Sequence, residues 1–315
     1  MELQFLGTGA GMPSKERNTT AIMMKLLDER GTMWLFDCGE ATQHRILHTP
    51  LKPRKIEKIF ITHLHGDHIF GLPGLLGSRS FLGGTEPLTI YGPRGIKEWI
   101  ETTIRISGTH LTYPLFIEEI DEAGLVFEDA QFTVHAAWLE HVVPCLGYRI
   151  EQKELPGALL IEKAYELGVP KGPLLGVLKN GTDVTLADGR VVYAKDVVSP
   201  PKAGFIVTIL GDTKYCDQAI QLAKHATIVV HEATFDDTTA QLAAQYGHAT
   251  NMEAAHVAKY AEAKYLILTH ISARFLPAQS ESLAKQARTV FEHTYVAHDY
   301  ISYVLTSDND IVIKE

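Results

Sequence analysis

The chain is poor in cysteine, has no long apolar run and carries no excess of positive charge. Each shortage excludes something. Its three cysteines, Cys38, Cys145 and Cys216, are widely spaced and form no CxxC pair. That argues against a disulfide framework and fits a reducing cytoplasm; each cysteine could be a small buried residue or a thiolate ligand. No stretch of about 18 apolar residues occurs, so no membrane-spanning helix is expected. The opening residues, Met1-Glu2-Leu3-Gln4-Phe5, lack the basic and apolar regions of a secretory signal, and a cytoplasmic protein is expected. The net charge of −9 speaks against a broad basic footprint for nucleic acid. It does not exclude a nucleic-acid site where metal ions dominate the local field. No internal repeat is visible. What remains is an ordinary globular composition, 45% hydrophobic and 21% charged, in 315 residues that can bury a large core.

Three histidines and an aspartate stand together in Ile59-Phe60-Ile61-Thr62-His63-Leu64-His65-Gly66-Asp67-His68. Ile59 to Ile61 reads as a buried strand, and the polar residues follow as a loop. Imidazole and carboxylate are preferred ligands of zinc among nitrogen and oxygen donors. Four ligands in six residues cannot wrap one tetrahedral ion. They can serve two neighbouring ions, with His63 and His65 on one side and Asp67 and His68 on the other.

Other apolar strands end in similar residues. Gly204 to Leu210 ends at Asp212, Thr227 to Val230 at His231-Glu232-Ala233-Thr234, and Tyr265 to Thr269 at His270. If these strands lie side by side, their ends share one rim with His63, since strands can gather residues distant in sequence. His141 follows the alternating strand Gln131 to Ala136; a lone histidine is more often structural, but the local motif lacks one ligand and His141 is the candidate to supply it. Thr250 and Glu253 have capping-box spacing and predict a helix to about Ala261. The glycines of Gly7-Thr8-Gly9 and Gly11 predict a tight turn or a loop lining the site. Lys15 and Arg17 follow as loop charges.

One stretch differs in composition. Pro156 to Lys202 holds 11 of the 39 glycines and prolines in 47 of the 315 residues. That enrichment favours turns and extended chain over a packed core. Residues 152–202 therefore read as a flexible arm inserted into a single domain of 1–315, with Val169-Pro170-Lys171-Gly172-Pro173 at its centre.

The motif His63-x-His65-x-Asp67-His68 resembles the signature of the metallo-β-lactamase superfamily. That resemblance implies an α/β (α+β) fold, a four-layer αββα sandwich with two zinc ions at one edge of its sheets. It assigns His63, His65 and His141 to one ion, Asp67, His68 and His270 to the other, and Asp212 between them. Paired zinc ions favour hydrolysis, and phosphoesters best, because they offset charge in the transition state. The motif alone is nearly silent about substrate.

Pro13-Ser14-Lys15-Glu16-Arg17-Asn18, His231-Glu232-Ala233-Thr234 and the Gly-Pro-rich arm resemble the ribonuclease Z family along essentially the whole chain. The resemblance implies a homodimeric endonuclease that trims the 3′ trailer from precursor tRNA. The arm, with Lys171 and Gly172, would grip the tRNA elbow and present the substrate to the other subunit's metals. Asp67 would act as general base as well as ligand, and Glu232 with His248 as a proton relay to the leaving oxygen. Lys15 and Arg17 would bind phosphate or the RNA end. Arg274 could hold phosphate or make an ordinary surface salt bridge. The competing readings are another hydrolase of this fold, such as a small-molecule phosphodiesterase or lactonase, and a non-catalytic tRNA-binding protein.

Overall fold

Short apolar runs of extended chain build two large sheets. The computed structural model describes residues 1–314, with side chains at all of these except 277 and 278. The first sheet has eight strands, in the order Ile311–Lys314, Ser302–Leu305, Glu2–Gly7, Ala21–Leu26, Thr32–Phe36, Ile56–Phe60, Leu88–Pro93 and Leu115–Ile120. The second has seven: Thr294–Val296, Tyr265–Thr269, Ile228–Glu232, Ile206–Leu210, Cys145–Gln152, Phe132–Leu139 and Gly124–Glu128.

The two-residue period of a strand sends neighbouring side chains to opposite faces. Phe60 stacks on Phe36 at 5.0 Å between centroids and meets Tyr148 of the second sheet at 5.3 Å. Its neighbour Ile59 faces the other way, into a buried cluster with Leu72, Leu75, Leu76, Ile96 and Ile100 from helices Leu72–Phe81 and Ile96–Ser107. On the second sheet Val229, Leu266 and Leu268 pack with Ala219, Ala254 and Leu283 from helices Asp217–Leu222, Asn251–Tyr260 and Pro277–Ala287. The result is the four-layer αββα sandwich implied by the sequence. Among the described residues, no helix is long and apolar enough to cross a membrane.

Topology places the site. Ile206–Leu210, Ile228–Glu232 and Tyr265–Thr269 are adjacent and parallel, so they end at the same edge of their sheet. Thr32–Phe36 and Ile56–Phe60 are likewise parallel in the first sheet. The helix expected after Thr250 starts there with a complete capping box: Glu253 N donates to Thr250 Oγ1 at 3.2 Å, and Thr250 N donates to Glu253 Oε2 at 2.8 Å.

The chain forms two compact units, residues 1–128, 134–150 and 206–315 in one, and 129–133 with 151–205 in the other. The smaller unit departs from the open, turn-rich arm that its composition suggests. Ala164, Val169, Leu178, Val184, Leu186, Val192, Ala194 and Val197 form its own buried cluster. Its glycines and prolines punctuate short elements instead of dispersing them. Pro173 opens the helix Pro173–Lys179, and Gly172 precedes it at φ 150°. At the base of the unit, Gln152 N donates to Phe205 O at 2.9 Å.

Candidate metal centre and active site

Strand ends and one turn bring seven side chains into two groups that share a carboxylate. In the first group His65 Nδ1 stands 3.0 Å from His63 Nε2 and 3.4 Å from His141 Nε2. In the second, His270 Nε2 lies 3.3 Å from His68 Nε2 and 3.3 Å from Asp67 Oδ2. Asp212 Oδ2 stands between them, 3.6 Å from His63 Nε2, 3.6 Å from His68 Nε2 and 3.4 Å from His270 Nε2. Within each group the candidate ligand atoms lie within 4.8 Å of one another.

The hydrogen bonds on the outer side of each ring decide what the inner side offers. His68 Nδ1 donates to Asp37 Oδ2 at 2.8 Å, and His141 Nδ1 donates to the Gly247 carbonyl at 2.7 Å. Thr62 Oγ1 donates to Asp37 Oδ2, so it accepts from His63 Nδ1 at 3.0 Å. Thr234 Oγ1 donates to Glu232 Oε2 and accepts from His270 Nδ1 at 2.8 Å. These tautomers are assigned from the network. They leave four imidazole Nε2 lone pairs aimed at one another and at two carboxylates. Lone pairs gathered without donors repel, and a divalent cation among them removes the repulsion. The donor set fits such a cation. The carboxylates draw positive charge to the same place. Burial disfavours a charge on His68, yet Asp212 and Asp37 raise its pKa well above the ordinary histidine value. Burial would raise Asp67, but His270 and His68 beside it hold it well below the usual carboxylate range.

Beside the cluster, Glu232 is buried, and its Oε1 accepts from Thr213 N at 3.0 Å and from His248 Nδ1 at 2.8 Å. Burial alone would lower the pKa of His248; the Glu232 carboxylate outweighs it and raises the pKa to about 9. A backbone amide completes the site, as Gly11 N donates to Asp67 Oδ2 at 2.8 Å. Gly39 is required by close approach, since a Cβ there would strike the Asp67 carbonyl and Thr19.

The remaining candidates are placed differently. Arg17, expected to meet RNA, is turned inward and buried. Its guanidinium donates to Thr8 Oγ1 and Ala297 O at 2.6 Å each and to Ser280 Oγ at 3.0 Å, so it is committed to the fold. Lys15 stays exposed. Arg274 is exposed at the cleft, with its guanidinium 5.3 Å above the Phe235 ring. Lys171 and Gly172 are exposed on the smaller unit. His231 ends a strand but does not reach the rim: the period of two sends Glu232 there, while His231 Nδ1 donates to the Glu232 carbonyl at 2.7 Å. The three cysteines are buried and free, and among the described residues none stands in a group that could hold a metal ion. Sequence reasoning missed Asp37, although it ends an apolar strand as Asp212 does.

Several known proteins resemble this chain. The family profile described as "Anti-Pycsar protein Apyc1" matches residues 1–112. Human tRNase Z, short form, superposes with a TM-score of 0.70 at 30% identity, covering 97% of this chain and 100% of that one. YhfI from Bacillus subtilis, described as a metallo-β-lactamase fold protein, gives 0.65 at 21% identity, covering 96% and 98%, and speaks for the fold alone. A ribonuclease Z of Bacillus velezensis is 57% identical over 96% of this chain and 98% of its own length. Another, from Bacillus cereus, is 56% identical over 96% of this chain and 99% of its own. At that likeness over nearly the full length of both chains, this chain belongs to the ribonuclease Z family.

Proposed function

We propose that this protein is a metal-dependent endoribonuclease that removes the 3′ trailer from precursor tRNA. Cleavage leaves a 3′-hydroxyl on the tRNA and a 5′-phosphate on the trailer. The observation that carries the reading is the convergence of five imidazoles and two carboxylates beside the Glu232–His248 pair. In this reading the ions are two Zn²⁺, held by His63, His65 and His141 and by Asp67, His68 and His270, with Asp212 shared. Bound there, zinc would polarise the scissile phosphate and acidify water at the site.

The chain's own groups do the rest. Asp67, fixed by the Gly11 amide, would take the proton of the attacking water. His248 keeps Nδ1 on Glu232 and can pass a proton from Nε2 to the departing O3′ of the tRNA. Lys15 and Arg274 are exposed cations for backbone phosphates. Lys171 and Gly172 would meet the tRNA elbow on the smaller unit, where a glycine allows close backbone approach. The working form would be a cytoplasmic homodimer. Exposed Leu47, Phe81 and Leu82 support a partner of the same chain, and sedimentation analysis tests it.

Cleavage-site mapping on a 3′-extended tRNA, wild type beside Asp67→Ala, tests the function. A single cut after the discriminator nucleotide, lost in the variant, is the expected result. A wild type that leaves such precursors intact while hydrolysing small phosphodiesters or lactones would overturn it.

A further inference from the structure

The metal cluster forms one wall of a cleft of about 340 Å³; the other wall carries Val142, Phe235, Tyr246 and Arg274. Exposure varies along this second wall. Phe235 is only 5% exposed, whereas Tyr246 is 51% exposed and Val142 60%. The Phe235 and Tyr246 rings are nearly parallel, 5° apart with centroids at 6.5 Å. The Arg274 guanidinium lies over the same Phe235 ring at 5.3 Å. A buried ring thus backs both an exposed ring and an exposed cation.

This wall is held in register with the chemistry. Phe235 N donates to Ala249 O at 3.4 Å, and Asn251 N donates to Phe235 O at 3.1 Å. Tyr246 ends the helix Ala240–Tyr246, and Gly247 at φ 78° turns the chain. The Gly247 carbonyl then accepts from His141 Nδ1, and His248 pairs with Glu232. Three consecutive residues therefore present a ring to solvent, orient a cluster imidazole and hold the proton-relay histidine.

We infer that Tyr246 and Arg274, backed by Phe235, form a nucleobase subsite that receives a nucleotide flanking the scissile phosphate. The inference rests on the RNA-cleaving function proposed above. Every base offers a π face, and stacking on an aromatic ring is tolerant of sequence. Arg274 can stack on a base or hold the adjoining phosphate. With a net charge of −9, bulk attraction does little to seat RNA, and local contacts of this kind must fix the substrate.

The test uses full-length protein and precursor tRNAs carrying an abasic nucleotide immediately before or immediately after the cut. On the intact substrate, Tyr246→Ala should lower kcat/KM by about 10- to 100-fold, with Tyr246→Phe close to wild type. At one of the two abasic positions, wild type and Tyr246→Ala should then cleave at the same reduced rate. The variant should retain wild-type metal content and melting temperature. Tyr246→Ala cleaving like wild type, losses that multiply at both abasic positions, or a loss that follows reduced metal content would each overturn the subsite. A wild type that cuts no precursor tRNA refutes the functional reading and the subsite with it; a cutting wild type with Tyr246 silent refutes the subsite alone.

Discussion

Asp37 Oδ2 accepts from His68 Nδ1 at 2.8 Å, and the same carboxylate holds Thr62, whose hydroxyl meets His63 Nδ1 at 3.0 Å. One side chain that touches no candidate metal position therefore orients a ring in each group. Partners of this kind raise ligand basicity and fix the ring. Asp37→Ala should weaken metal binding about 10- to 100-fold, measured by competitive titration with a chromophoric chelator. Binding equal to wild type would show that the rings orient themselves.

Chelation should stop cleavage and soften the fold. A ligand at 1,000 times its dissociation constant adds about 4 kcal/mol to stability. Stripping the metal with dipicolinate should therefore lower the melting temperature, and added zinc should restore both stability and activity. Unchanged cleavage after metal analysis shows an ion-free protein would sink the metal centre.

The Glu232–His248 pair should matter in proportion to how badly the leaving group needs a proton. Both His248→Ala and Glu232→Gln are expected to slow precursor tRNA cleavage by about 10²- to 10⁴-fold. The losses should be much smaller on bis(p-nitrophenyl) phosphate, whose nitrophenolate departs unprotonated. Equal losses on the two substrates would place the pair outside proton transfer.

Asp299 staples the loop that reaches Asp67. Its carboxylate accepts from Thr8 Oγ1 at 2.6 Å, from Asn18 N at 2.7 Å and from Arg45 at 2.6 Å, so it ties both ends of the segment whose tip presents the Gly11 amide. Asp299→Ala should cost about 3 kcal/mol in urea unfolding, because it strands buried donors and a partly buried arginine. A change within experimental error would mean the loop is anchored elsewhere.

Excising Pro156 to Lys202 and closing the gap with a short turn should abolish precursor tRNA cleavage. Hydrolysis of bis(p-nitrophenyl) phosphate should survive, because every candidate metal residue lies in the larger unit. Parallel loss of both activities would refute the division of labour between the two units.

Much of the sandwich was legible because short continuous apolar runs announce themselves. Ile59 to Ile61, Gly204 to Leu210 and Tyr265 to Thr269 read as strands ending where polar residues begin, and the strands observed are Ile56–Phe60, Ile206–Leu210 and Tyr265–Thr269. Strands with weaker patterns escaped. Leu115–Ile120 carries adjacent glutamates, Cys145–Gln152 is broken by Gly147, and Ser302–Leu305 is only four residues long. The turn from His63 to His68 was readable for the same reason it is compact: neighbouring residues meet without help from the fold. Arg17 was misread because its partners Ala297 and Ser280 lie more than 260 residues away. Asp37 escaped because a carboxylate at a strand end reveals its purpose only once the imidazole it holds is beside it.

The smaller unit leaves and rejoins the chain between Cys145–Gln152 and Ile206–Leu210, which are neighbours in the second sheet. Leu155 and Lys202 still pair beyond that point. Topologically it is a hairpin whose tip has grown to some fifty residues. Shrinking such a tip tenfold changes the entropy of closing it by only roughly 2 kcal/mol, so the barrel of the tool tolerates a change of handle. Length can therefore be added to that tip, or taken from it, at little cost to the ladder it springs from.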